Sequence, residues 1–120
     1  MANPFVHVEL QTKDPKKARD FYGRLFDWKL EDAPVPGFGT YTMIGVGEGT
    51  GGGMMAGPPG APSQWVAYVN VDDVASATRK AKELGATVVV DVTPVADMGK
   101  FTIITDPTGA TLGLWQSTRK

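Results

Sequence analysis

Residues 5–28 read Phe-Val-His-Val-Glu-Leu-Gln-Thr-Lys-Asp-Pro-Lys-Lys-Ala-Arg-Asp-Phe-Tyr-Gly-Arg-Leu-Phe-Asp-Trp, and the fold is decided there. The stretch begins as a strand, because Val6, Val8 and Leu10 alternate with Phe5, His7 and Glu9. Asp14 before Pro15 predicts a helix start: the aspartate supplies a capping acceptor, and proline suits the first helical position, where no N–H is needed. Ala18, Phe21, Tyr22 and Leu25 then fall at i, i+3, i+4 and i+7, one apolar stripe. The helix is therefore expected on the Val6/Val8/Leu10 face of the strand, with His7 and Glu9 turned away from it. A histidine and a carboxylate on the open face of an otherwise apolar strand are where function is sought first.

Outward from this stretch the chain alternates strands with breakers. Residues 28–32 predict a strand that stops at Ala33-Pro34-Val35-Pro36-Gly37, and residues 38–46 predict another, rich in aromatic, Thr and β-branched types. Gly47-Glu48-Gly49-Thr50-Gly51-Gly52-Gly53 is a turn running into a glycine-rich strand that ends at Met54-Met55. Residues 57–64 hold too many prolines and glycines for a regular element and read as a linker. Beyond it the plan repeats. Residues 65–71 alternate, with Ala67, Val69 and Val71 on one face and Val66, Tyr68 and Asn70 on the other. Asp73 caps a helix carrying Val74, Ala77, Ala81 and Leu84, and Gly85 stops it. Strands at 87–92, stopped near Pro94, at 100–105 and at 110–116 complete the chain, the last two joined by the turn Asp106-Pro107-Thr108-Gly109. Laying Asp14 on Asp73 gives an offset of 59 residues, which puts His7 on Val66, Ala18 on Ala77 and Leu25 on Leu84. A single domain of two βαβββ modules follows, module one at about 1–56 and module two at about 65–120.

Whole-chain quantities bound the function. The 120 residues carry a net charge of −1, with 42% hydrophobic and 21% charged residues, the balance of an ordinary globular domain. That charge gives no reason to bind nucleic acid or an anionic membrane, and Lys13, Lys16, Lys17 and Arg19 read as a solvated helix face. The absence of cysteine excludes disulfides, thiolate metal sites and a cysteine nucleophile. No signal-peptide pattern or membrane-length apolar run is present, so a cytoplasmic location is the expectation.

The order of elements, with Asp-Pro-x-x-Ala-x-x-Phe-Tyr-x-x-Leu-Phe from Asp14 and Asp-Pro-Thr-Gly-Ala from Asp106, resembles the glyoxalase/bleomycin-resistance/dioxygenase group, the vicinal oxygen chelate superfamily. The resemblance implies an α+β fold in which paired βαβββ modules form a curled mixed sheet with a cup, in many members holding a divalent metal. The ligands it implies are a histidine on each module's first strand and a glutamate on each module's last. Carried over, His7 matches the first histidine, Val66 stands at the second, and Gly113 stands at the last glutamate. The remaining glutamate would fall within 51–55, where there is no acid. His7 is the only matching ligand position. The resemblance also implies a homodimer.

The residues themselves permit less than the family's metal chemistry. His7 and Glu9 lie about 6.5–7 Å apart along a strand and could touch one ion, but a divalent metal wants three or four protein donors. No metal or other cofactor is therefore expected, with a weak divalent site through His7 and Glu9 as the alternative. His7 and Glu9 are also the catalytic candidates, since a carboxylate beside an imidazole raises its basicity and orients it. The bland reading of His7 is a neutral imidazole packed against a neighbour. Gly47, Gly49 and Gly52 fit G-x-G-x-x-G, yet no helix N-terminus follows to hold a phosphate, so that reading is rejected. No nucleophile elbow is present.

Tyr41, Met43, Met54 and Met55 from module one, with Trp65, are candidates for an apolar pocket, and Tyr68, Phe101, Thr111 and Trp115 are their counterparts from module two. For each of them core packing is the competing reading. Glycine at 113 beside an aromatic wall suits an uncharged or aromatic small molecule better than a metal. The expected function is metal-free binding of such a molecule by His7, Glu9, Tyr41, Met43, Met54, Tyr68, Phe101, Thr111 and Trp115. The alternatives are a metal-dependent lyase, isomerase or dioxygenase, and a metal-free enzyme using His7 or Glu9 as acid or base.

Overall fold

The computed structural model describes residues 2–37 and 39–118. Its elements run β1 (Phe5–Thr12), α1 (Pro15–Leu25), β2 (Lys29–Val35), β3 (Gly39–Gly45), β4 (Gly52–Ala56), β5 (Gln64–Asn70), α2 (Val74–Glu83), β6 (Thr87–Val95), β7 (Gly99–Thr105) and β8 (Thr111–Ser117). The order βαβββ occurs twice, as the repeat predicts. Contacts divide the chain into two compact units: His7–Val66, and the residues before His7 together with those from Ala67 onward.

In the first unit the strands lie in the order β2-β3-β4-β1, with β1 and β4 parallel and the other pairs antiparallel. Helix α1 begins as the sequence dictates: the Asp14 carboxylate accepts the Lys17 N–H at 3.0 Å, and Pro15 opens the first turn. Ala18 and Tyr22 pack, with Trp28 and Leu30, onto a core of Leu10, Ile44 and Met54. The stripe is narrower than its spacing suggests. Phe21 and Leu25 stay exposed, and of Val6, Val8 and Leu10 only Leu10 is buried, while Val6 is exposed. Ala18 and Tyr22, four residues apart, make the contact with the core, and Phe21 and Leu25 flank it.

The second unit orders its strands β5-β8-β7-β6, with β5 and β8 parallel. Asp73 caps α2 by accepting the Ser76 N–H at 3.1 Å, and Gly85, at φ +102°, turns the chain out of the helix. Gln116 Oε1 accepts the Val74 N–H at 2.9 Å, satisfying a first-turn donor that is buried with Val74 itself. Val74, Ile104 and Leu114 form the core, with Val71, Ala77, Ala81 and Leu112 around it. Leu84, expected in the stripe, is exposed because it is already the C-terminal cap. The Asp106 carboxylate organises the last hairpin, accepting the N–H groups of Thr108 (2.7 Å) and Ala110 (3.1 Å). Before β1, Pro4 offers its carbonyl to the Asn70 N–H at 2.9 Å.

Two strands outrun their expected ends, both across a proline. β2 continues through Pro34 to Val35, and β6 through Pro94 to Val95. Each is the outermost strand of its unit, where a missing N–H leaves no ladder bond unmade. The third strand, expected from 38, is β3; Phe38 itself lies outside the described residues.

Candidate functional site

Period-two alternation along β1 puts His7, Glu9 and Gln11 on the face away from α1, since Leu10 belongs to the helix-side core. Register carries that face across the sheet: Glu9 stands opposite Gly53, and Gly53 opposite Met43. Tyr41, two residues from Met43, shares it. The Tyr41 ring lies over Gly53 so closely that a Cβ there would come within 2.1 Å of the phenol. From that position Tyr41 bridges the two candidates from the first strand. His7 Nε2 and Tyr41 Oη are 2.7 Å apart, Tyr41 Oη donates to Glu9 Oε1 at 2.9 Å, and Gln11 Nε2 donates to Glu9 Oε2 at 3.0 Å.

Proton counting fixes the roles. A phenol has one hydrogen, and here it goes to the Glu9 carboxylate, so the contact with His7 needs the N–H of Nε2. In the neutral ring that burial favours, Nδ1 is then the acceptor nitrogen. Burial pushes the His7 pKa below its ordinary value, and the Glu9 charge opposes that push without cancelling it. Glu9 is itself buried.

Module two has a parallel arrangement. Tyr68 stands opposite Gly113, and a Cβ at Gly113 would lie 2.3 Å from the Tyr68 ring. Phe101 meets Tyr68 edge-on at 6.2 Å, and Trp115, opposite Phe101 in register, covers Gly99, where a Cβ would lie 2.6 Å from its ring. Thr111 shares the Gly113 face at the far end of β8, opposite Thr105.

The sequence-predicted residues thus fall into separate groups. His7, Glu9 and Tyr41 come together, with Met43 exposed on the same face. Tyr68, Phe101 and Trp115 form a second group. Met54 joins neither. Paired with Leu10 and 1% exposed, it is core beneath α1, which corrects its assignment as a ligand-binding residue. Trp65 packs against Tyr22 and Trp28 on the helix side. Gln11, Gly53 and Gly99 escaped the sequence reading. Only Gln11 was within its reach, as the next step of the same alternation.

The family's metal positions can be tested on these contacts. Glu9 faces Gly53 as Tyr68 faces Gly113, so Gly53 is the module-one counterpart of Gly113. Both glycines lack a donor, and tyrosine rings fill the space a side chain would need. Val66, in the second histidine's place, is a fully buried apolar residue. Among the described residues, no group of three or more His, Asp or Glu could hold an ion. The residues present do not fit a four-ligand divalent metal.

A βαβββ module used twice, each with its helix on one face of a mixed sheet, defines a paired-module α+β protein of the vicinal oxygen chelate type. Residues 5–114 match the family model for the Glyoxalase/Bleomycin resistance protein/Dioxygenase superfamily, and the chain belongs to that superfamily. It is 40% identical over 117 residues to CFP32 of Mycobacterium tuberculosis, whose name gives it as a candidate glyoxylase; the match covers 93% of this chain and 45% of that protein. It is 26% identical over 127 residues to the anthracycline biosynthesis protein DnrV of Streptomyces peucetius, covering 90% and 45%. The chain spans less than half the length of these curated relatives. Among solved structures, the hypothetical protein BH1468 of Bacillus halodurans shares the fold at TM-score 0.76 and 15% identity, over 100% and 98% of the two chains. Methylmalonyl-CoA epimerase of Mycobacterium tuberculosis shares it at TM-score 0.67 and 15% identity, over 94% and 87%.

Proposed function

We propose that this domain binds a small apolar or aromatic molecule without a metal, on the face that carries His7, Glu9, Tyr41 and Met43, with Tyr68, Phe101, Thr111 and Trp115 as the corresponding residues of module two. One observation carries the reading. The two places where the family's glutamates are expected are glycines, each covered by a tyrosine ring. Aromatic surface with a few fixed polar groups is the chemistry of an uncharged ligand. The Streptomyces relatives are named for the biosynthesis of anthracyclines, a fused-ring aromatic class, which supports the same direction. Assembly as a homodimer belongs to the proposal through the family resemblance, and light scattering checks it.

The test is a thermal-shift screen of neutral aromatic compounds, run with and without a chelator. A ligand at a hundred times its dissociation constant stabilises by about 2.7 kcal/mol, a shift of several degrees for a domain of this size. The expected result is a chelator-insensitive shift that weakens in Tyr41→Phe. No shift across a broad library, or one abolished by the chelator, would overturn the proposal.

The hydrogen-bond chain favours a second reading, metal-free acid–base catalysis. Gln11 and Tyr41 hold the Glu9 carboxylate, Tyr41 holds the His7 ring, and Nδ1 of the neutral imidazole is the atom able to take a proton. Turnover lost in His7→Ala at unchanged ligand affinity would favour this reading over simple binding.

A further inference from the structure

On the helix side of the His7–Val66 unit, opposite the His7 face, an open cavity of about 290 Å³ is lined by Trp28, Trp65, Val8 and Val46 and bordered by Gly51 and Gly52. Val8 has the parity of Leu10, which places the cavity on the α1 side of the sheet. Its aromatic wall is fixed: Trp28 and Trp65 meet edge-on at 6.3 Å, Tyr22 braces Trp65 at 5.4 Å, and Phe26 braces Trp28 at 4.7 Å. The glycines opposite are required by close backbone approach. A Cβ at Gly51 would lie 2.6 Å from the Ile44 carbonyl oxygen, and one at Gly52 would lie 1.9 Å from that of Val8. Carrying no side chains, they leave the space open. The run Gly47–Gly52, which matches a phosphate loop in pattern only, here bounds an apolar hollow.

The lining selects the occupant. Among the described residues no cation lines the cavity, and its side-chain polar groups are the Thr50 hydroxyl and the two indole N–H groups, too few to replace the hydration of an anion or a sugar. Two indoles offer faces and edges to a flat ring. An apolar cavity of about 150 Å³ holds benzene, and pockets for larger ligands start at about 300 Å³, so this volume suits one or two rings. We propose that the Trp28–Trp65 cavity is a binding site for an uncharged planar molecule of one or two aromatic rings, separate from the His7–Tyr41–Glu9 face.

The probe is 1-naphthylamine, a neutral, flat amine of two fused rings that accepts excitation energy from tryptophan. Titrated into the whole domain, it is expected to quench tryptophan emission saturably at one equivalent. Val46→Lys places a charge at the partly exposed rim without touching the core, and should weaken binding at least about tenfold. Trp65→Ala should do the same, with folding of both variants checked by circular dichroism, and Leu84→Lys in the other unit should bind as the parent does. Non-saturable quenching, unchanged affinity in both cavity variants, or loss of binding in His7→Ala with affinity retained in Val46→Lys would overturn the assignment.

Discussion

Glycine at positions 53 and 113 is imposed by a tyrosine in each case, but the two contacts have different consequences. The atoms nearest a Cβ at Gly53 are the far end of Tyr41, which can swing aside, whereas at Gly113 they include Cγ of the buried Tyr68. Gly113→Ala should therefore cost about 1–3 kcal/mol by overpacking, and Gly53→Ala less, as read by urea unfolding. Tyr68→Ala should relieve part of the Gly113→Ala cost, and equal costs at the two positions would contradict the contacts. His7 gives a second test. Burial lowers its pKa, so the unfolded chain takes up a proton near the ordinary 6.5 while the folded one resists it. The stability that His7 contributes is present above that value and is lost as pH falls through it toward the lower folded pKa. The melting temperature should drop more between pH 7 and pH 5 in the parent than in His7→Gln, and parallel curves would contradict this. The pairing of His7 with Glu9 on one face was legible from alternation alone. Tyr41 as their bridge was not, because it needs the register of β1 on β4 and β4 on β3, which local pattern does not carry. Met54 was misplaced for the same reason: the parity of β4 relative to β1 is set by pairing.

At the scale of elements, caps and turns were the readable part, since Asp14, Asp73 and Asp106 act through backbone groups a few residues away. Removing the Asp73 acceptor in Asp73→Ala should cost about 1 kcal/mol, measurable by chemical denaturation. Gln116→Leu leaves the buried Val74 N–H without its side-chain acceptor and should cost about 1–3 kcal/mol. A cost near zero would mean that water or another acceptor replaces the amide. Strand ends at prolines were the unreadable part. Pro34 and Pro94 stop a strand only if both of its edges are paired, and which strands lie outermost is a property of topology.

For the whole molecule, the internal repeat with its 59-residue offset carried the fold, and the match over residues 5–114 agrees with it. Function was less legible because this family keeps its architecture while changing the side chains in its site. Here the change is specific: of four positions implied for a metal, His7 alone offers a donor, and at two of the others aromatic rings stand over glycine. The proposed metal independence rests on these positions. The most direct measurement is elemental analysis of the domain after saturation with Zn, Ni, Mn and Fe(II) salts in turn and exhaustive dialysis. Well under one equivalent of each metal is expected to remain. One equivalent retained by the parent and lost in His7→Ala would contradict it.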